Sequence, residues 1–375
     1  MSGQYRRTFL KGAGALGAAG LAGCMGNGGG DGEDTTTSGD DGDGGSKPGS
    51  DVNVGMVYAL GGLGDKSFND MAHQGVQQAE SEFGISFKNA EPSGQSDFET
   101  LQRKMATSSD PDYDLVATIG FAQTEALKKN AKQYSDQKFM IVDSVVDKDN
   151  VASYVFKEHQ GSFQVGHMAG LLTTKDFSYE GKETTSETND DTVVGFVGGK
   201  KNDLIKKFQA GYEAGVKYAN EDVTIKSAYA GSWSDSAKGK EIALSMYENG
   251  ADVVYHAAGG TGIGVFKAAR EKGRFAIGVD ADQSRSTNYE DVIVASMVKH
   301  VDTAVYKSVE NVVNGSFKGG EINALGLQKD GVEAITGTAY DGEIPDDVTS
   351  AMEDSREGIV NGDISVPTDP KKVGK

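Results

Sequence analysis

The chain has 375 residues, a formal net charge of −19 and a single cysteine, Cys24. So acidic a chain repels phosphate backbones, which argues against nucleic acid as a partner, and a lone cysteine excludes an internal disulfide. Acidity of this degree suits a protein that stays soluble in very high salt, where the screening length falls to ~3 Å at 1 M, and it predicts a halophilic source.

Residues 1–23 read as a processing segment. Arg6-Arg7-Thr8-Phe9-Leu10-Lys11 has the form of a twin-arginine export signal, with Tyr5 where a Ser or Thr usually precedes the arginine pair. Gly12 to Gly23 is mostly Gly, Ala and Leu, too short and too weakly apolar to span a bilayer core of ~30 Å. Leu21-Ala22-Gly23-Cys24 has the form of a lipobox. A lipid on Cys24 would hold the chain at the outer face of the cell membrane, at ~0.8 kcal/mol per buried methylene. Residues 24–50 are rich in Gly, Asp, Ser and Thr and read as a flexible acidic leash.

From Asp51 onward, apolar runs alternate with helical patterns. The predicted strands are Val52–Ala59, Asp114–Gly120, Lys138–Ser144, Val151–Phe156, Thr192–Gly199, Thr224–Gly231, Ala251–Ala258, Phe275–Ala281 and Asp291–Val298. Most are near-continuous runs of Val, Ile, Ala and Tyr, as in strands buried on both faces. Amphipathic stretches between them include Ser67–Phe83, Ser96–Ser108, Thr124–Tyr134, His159–Leu172, Asp203–Tyr218 and Ala237–Asn249. This alternation predicts an α/β protein with two doubly wound parallel sheets. Thr174–Asp191 is polar and aperiodic, and reads as a surface insertion.

Ligands of open parallel sheets sit beyond the carboxyl ends of the strands, so the segments that follow strands hold the candidates. In Gly64-Asp65-Lys66-Ser67-Phe68-Asn69-Asp70, Ser67 and Asp70 have the spacing of a capping box, which leaves Phe68 and Asn69 to face a ligand or to pack. Phe208 shares a helix face with Leu204, Ile205 and Tyr212, which on spacing alone is a core position. Gly259 to Gly264 is a glycine-rich turn that lacks the P-loop Gly-Lys-Ser/Thr and does not complete a dinucleotide fingerprint. Asp143 and Asp280 each end a strand, where a carboxylate either caps a turn or accepts hydrogen bonds from a vicinal diol. Such carboxylates repel phosphate and favour nucleoside over nucleotide. Lys299 also follows a strand.

Support for an enzyme is thin. The five histidines (73, 159, 167, 256 and 300) show no metal spacing, His256 reads as a core histidine, and there is no Gly-x-Ser-x-Gly elbow. No metal and no cofactor is expected.

Asp65-Lys66-Ser67-Phe68-Asn69, Gly195-Phe196-Val197-Gly198-Gly199, Phe208 to Gly215, Gly239-Lys240-Glu241, His256 to Gly262 and Gly278 to Gln283 occur in one order. At these strings, and from Val52 to Pro367, the chain resembles the basic membrane lipoprotein family, ABC-transporter solute-binding proteins that include purine nucleoside receptors. The resemblance implies a type I periplasmic-binding fold, two lobes joined by three hinge strands. Lobe 1 is expected at 51–160 plus 283–320, and lobe 2 at 161–282 plus 321–367. It further implies that Phe68 and Phe208 stack on a base and that Asn69, Asp70 and Asp143 supply polar contacts. Gly260 would bring backbone close, and Asp280 and Lys299 would hold a ribose. Phe121 and Trp233 occupy cleft-side loops and would also face the ligand, Trp233 standing where related chains often carry Phe. The partners implied are a purine nucleoside and the permease and ATPase subunits of an ABC transporter. Alternatives are another small polar metabolite on the same fold, a surface-anchored sensor, or a secreted processing enzyme.

Overall fold

The computed structural model describes residues 46–374. The processing segment 1–23, Cys24 and most of the leash lie outside the described residues. The leash was expected to reach Ser50, but folded structure begins earlier. Gly49 is buried and donates its N–H to the Phe83 carbonyl at 2.8 Å, and Lys47 reaches the Ser81 carbonyl.

In chain order the strands are β1 (Asn53–Val57), β2 (Ser86–Ala90), β3 (Leu115–Thr118), β4 (Phe139–Val142), β5 (Val151–Phe156), β6 (Ser178–Glu180), β7 (Thr185–Glu187), β8 (Val193–Gly198), β9 (Thr224–Tyr229), β10 (Ala251–Ala257), β11 (Phe275–Asp280), β12 (Ile293–Lys299), β13 (Ile322–Leu325) and β14 (Val332–Thr336). The helices are α1 (Phe68–Phe83), α2 (Phe98–Ala106), α3 (Thr124–Gln133), α4 (Glu158–Leu172), α5 (Asp203–Ala219), α6 (Ser236–Glu248), α7 (Ile263–Lys272), α8 (Gln283–Ser286), α9 (Val301–Val313) and α10 (Asp346–Asn361).

Two six-stranded sheets result, in the orders β13-β5-β4-β3-β1-β2 and β14-β12-β11-β10-β8-β9. All pairings within them are parallel except β12 with β14. The sheets repeat one plan, with β1 to β5 of the first corresponding to β8 to β12 of the second. In each, the strand order reverses beside the first strand, and the crevice at that reversal is where ligands of doubly wound sheets bind. The inner strands β8, β10, β11 and β12 are buried along their whole length, which is why they read as continuous apolar runs.

The expected lobe boundaries need correction. Residues 283–299 belong to lobe 2, because β12 continues the second sheet beside β11. Residues 322–325 belong to lobe 1, because β13 pairs with β5. The chain crosses between lobes at Lys157, at His300 and between β13 and β14. After His300, α9 packs on α1 of the first lobe. The expected insertion, Thr174–Asp191, carries the small antiparallel pair β6–β7.

α4 leads out of the first crossing and is buried almost all round. It meets α5 at glycines: a Cβ on Gly166 would stand 2.2 Å from the Tyr212 carbonyl oxygen, and one on Gly215 2.0 Å from that of Phe163. This close approach seats Phe208, on α5, over the crossing.

The second crossing holds a charge cluster. The His300 ring lies 3.4 Å from the Asp302 carboxylate of α9 and 2.9 Å from the Glu333 carboxylate of β14, so it is held from both lobes. Asp302 and Glu333 raise it to about 10 against the opposing effect of burial. A raised histidine stabilises the fold fully below its unfolded value of ~6.5, and that contribution fades as pH rises through its folded value. His300→Gln should therefore lower the urea midpoint clearly at pH 6, and the gap to the parent should close towards pH 10. A gap that does not vary with pH would refute this.

Candidate functional site

The cleft between the lobes holds about 710 Å³ of space between atoms, part of it open to solvent. Its walls come from the carboxyl ends of both sheets.

The turn between β1 and α1 is organised differently from the capping box expected of Ser67 and Asp70. Asp65 is the capping residue. Its carboxylate accepts from the N–H groups of Ser67 (2.9 Å), Asn69 (3.0 Å) and Asp70 (3.2 Å), and from the Asn69 side chain (3.1 Å). Burial raises it to about 6, opposed by those backbone donors. Asp70 instead accepts from Gly64 N–H (2.7 Å) and Lys66 N–H (3.0 Å). The Ser67 hydroxyl makes no cap bond; it donates to the Asp280 carboxylate of the other lobe at 2.7 Å. Spacing alone could not separate these roles, since Asp65, Ser67 and Asp70 can all reach the same helix end.

Lys299 ends β12 and is 1% exposed. Its ammonium lies 2.8 Å from Asp143 of lobe 1 and 3.9 Å from Asp280 of lobe 2. The same nitrogen lies 4.6 Å from the ring centre of Phe68, 5.4 Å from that of Phe156 and 5.5 Å from that of Phe208, all within cation–π range. Asp143 and Asp280 are equivalent residues of the two sheets, ending β4 and β11. Both have left-handed backbone, φ 65° and 64°, a conformation that Asp tolerates better than most residues and that concentrates at functional sites. One oxygen of each, Oδ1, has no hydrogen-bond partner among the described residues.

Burial works against the Lys299 charge, but Asp143, Asp280 and Glu158 outweigh it and raise the ammonium. Asp280 is raised by burial, opposed by Lys299 and Ser67. Glu158, the first residue of α4, was missed by sequence reasoning. It is 0% exposed and outside the cleft lining, and among the described residues only Lys207 is in ion-pair range, at 3.6 Å. Burial raises it, opposed chiefly by Lys299. In the sequence it looks like any acidic residue of a first helical turn.

Of the residues singled out from sequence, Phe68, Asn69, Phe121, Asp143, Phe208, Trp233, Asp280 and Lys299 line this one cleft. Asn69 has its side-chain oxygen committed to Ala59 N–H at 2.9 Å. Asp70 and Gly260 do not line it. Asp70 is turned into its own loop. Gly259 lines the wall in place of Gly260, whose Cβ position faces the Trp233 carbonyl oxygen at 3.5 Å and Asp65 Cα at 4.0 Å. The Trp233 ring lies on Gly199, where a Cβ would come within 2.4 Å of it. Among the described residues, no group of His, Cys, Asp and Glu is arranged to hold a metal ion.

A family model described as "ABC transporter substrate-binding protein PnrA-like" matches residues 52–369. The chain belongs to this Bmp family. A Lactococcus lactis relative named ABC transporter nucleoside-binding protein BmpA is 33% identical, covering 85% of this chain and 90% of that protein. A Listeria innocua relative named CD4+ T-cell-stimulating antigen is 36% identical, covering 87% and 91%. The crystal structure of an ABC-transporter solute-binding protein from Aeropyrum pernix superposes with a TM-score of 0.74 at 28% identity, covering 85% of this chain and 95% of that one. The Bmp protein described here is thus an ABC-transporter substrate-binding protein of type I periplasmic-binding fold, and its family binds solutes and is not an enzyme family.

The buried charges of this Bmp protein balance only as a set. Lys299→Met leaves Asp143, Asp280 and Glu158 buried together without the ammonium between them, and breaking a buried pair costs about 3–5 kcal/mol. Urea denaturation at pH 7 should show a loss of that size, partly recovered at pH 5 as Glu158 and Asp280, both raised by burial, take up protons. A loss below about 1 kcal/mol would refute the assignment.

Proposed function

We propose that the protein is a lipid-anchored receptor that captures nucleosides, purine nucleosides above all, and delivers them to the permease and ATPase of an ABC transporter. The observation that carries this is the floor of the cleft: two phenyl rings from opposite lobes, Phe68 and Phe208, beside a buried Lys299 flanked by Asp143 and Asp280. Aromatic faces suit a flat base, adding about 0.5–1.5 kcal/mol beyond burial of its area. The free Asp280 Oδ1 suits a ribose diol, each charge-assisted hydrogen bond contributing about 1.5–3 kcal/mol. Closure excludes water from both contacts, and no bond in the ligand is broken. Carboxylates in the same cleft disfavour a phosphate, so a nucleotide is not the cargo. The Lactococcus relative's name accords with a nucleoside.

The lipobox at Cys24 and the twin-arginine pair Arg6-Arg7 support export of the folded chain and anchoring outside the cell, with the acidic segment 24–45 as tether. The acidity supports a high-salt environment.

Trp233 is the chain's single tryptophan and lines the cleft, so intrinsic fluorescence reads occupancy directly. In high salt, guanosine, adenosine or inosine should change its emission saturably, and should raise the melting point by an amount matching ~2.7 kcal/mol at 100 times the dissociation constant. Their 5′-phosphates should bind at least about tenfold more weakly. A response to a sugar or amino acid with none to any nucleoside would overturn the ligand and keep the receptor.

A further inference from the structure

Two side chains bind the lobes to each other outside the contacts a ligand would make. Ser67, from the turn before α1, donates to Asp280 Oδ2 at 2.7 Å, with the Val279 carbonyl oxygen at 3.4 Å. Gln283, at the start of α8 on the other lobe, donates through Nε2 to the Lys66 carbonyl oxygen at 2.9 Å. All of Ser67, Asp280 and Gln283 are buried.

Each half of this contact is prepared within its own lobe. Lys66 has left-handed backbone, φ 56°, and its carbonyl accepts from Gln283. Its own N–H is held by Asp70 at 3.0 Å. Ser67 stands at the helix N-cap, where a serine hydroxyl ordinarily accepts from a backbone N–H of the first turn. It makes none, because Asp65 has taken the helix end, and so its hydroxyl is free to reach across. On the facing lobe the Gln283 amide has one fixed orientation. Its Oε1 accepts from Val279 N–H at 2.8 Å and pairs with His256 Nε2 at 2.9 Å, so Nε2 must point at lobe 1. His256 is fully buried, and its ring fills the space where a Gly262 Cβ would stand, 2.0 Å away. The core histidine expected from sequence is therefore the back support of an interlobe contact.

We infer that Ser67 and Gln283 form a latch that holds the lobes closed with or without ligand, and that Ser67 is the positioning residue for Asp280, fixing Oδ2 so that Oδ1 stays turned toward Lys299 at the cleft floor. Recognition and closure are coupled because one carboxylate serves both. Swinging the lobes apart removes the Ser67 hydroxyl and leaves Asp280 without its donor. The latch itself follows from contacts between the lobes; that Oδ1 receives a diol rests on the nucleoside reading above.

The test uses Ser67→Ala and Ser67→Thr in the whole protein, with acrylamide quenching of Trp233 measured without ligand. Trp233 faces Gly61 of lobe 1, its Cβ 3.9 Å from the Gly61 Cβ position, so opening exposes it. Ser67→Ala should raise the quenching constant by roughly twofold, and Ser67→Thr, which keeps the hydroxyl, should restore the parent value. Quenching unchanged in Ser67→Ala, or equally raised in both variants, would overturn the latch. Stopped-flow release of guanosine should then be about tenfold faster in Ser67→Ala with the association rate little changed. Raised quenching in a protein that binds no nucleoside supports the latch and rejects the nucleoside reading; an unaltered release rate rejects the role of Ser67 at Asp280.

Discussion

One buried ammonium organises this molecule. Lys299 sits where the second crossing leaves lobe 2, and its two nearest carboxylates come from different lobes, Asp143 and Asp280. Removing such a group from water costs several kcal/mol per ion, and apolar replacements of similar volume are often as stable. Stability alone therefore does not account for it. Its position does: the charge lies at the floor of the cleft, with three phenyl rings around it and one unpartnered oxygen on each carboxylate. The ion group ties the two lobes at their hinge and, in the function proposed, supplies the polar half of the ligand site.

The repeated plan of the two sheets explains why these groups meet. β4 and β11 are equivalent strands, each ends in an aspartate with left-handed backbone, and each aspartate turns toward the same lysine. Two independent sheets facing each other present equivalent strand ends to a common space. The sheets differ where function needs asymmetry. Lobe 1 contributes the Asp65-capped turn carrying Ser67 and Phe68, and lobe 2 contributes α5 with Phe208 and the Gln283 amide. In the readings proposed above, each lobe thus contributes to both recognition and closure.

The inner strands were legible because burial on both faces leaves a continuous apolar signature, and all nine expected strands are present. β2, β13 and β14 were not, since they are short, half-exposed and rich in polar residues such as Lys88, Asn89, Asn323 and Glu333. Missing β13, and carrying the first lobe through β12, misplaced the lobe boundaries. In the cleft, strand-end residues such as Asp143, Asp280 and Lys299 could be named from their positions. Phe208 could not be told from a core residue by periodicity, and it is indeed 2% exposed; only the family resemblance singled it out. Asp65 and Gln283 lie in strings that carry the resemblance, yet nothing in the sequence marked their roles, and Glu158 gave no signal, because these roles depend on which partner the tertiary fold brings near. The swap between Ser67 and Asp65 is the plainest case, as local capping chemistry permits either.

The central claim is that Asp280, held beside Lys299, binds a vicinal diol while the aromatic pair holds a base. Calorimetric titration of the protein with guanosine and with 2′,3′-dideoxyguanosine separates the two halves of that claim. Loss of the diol removes up to two charge-assisted hydrogen bonds, and affinity should fall by about tenfold or more. Equal affinity for both compounds would contradict the account, since the base alone would then carry recognition and the buried lysine–carboxylate group would have no part in it.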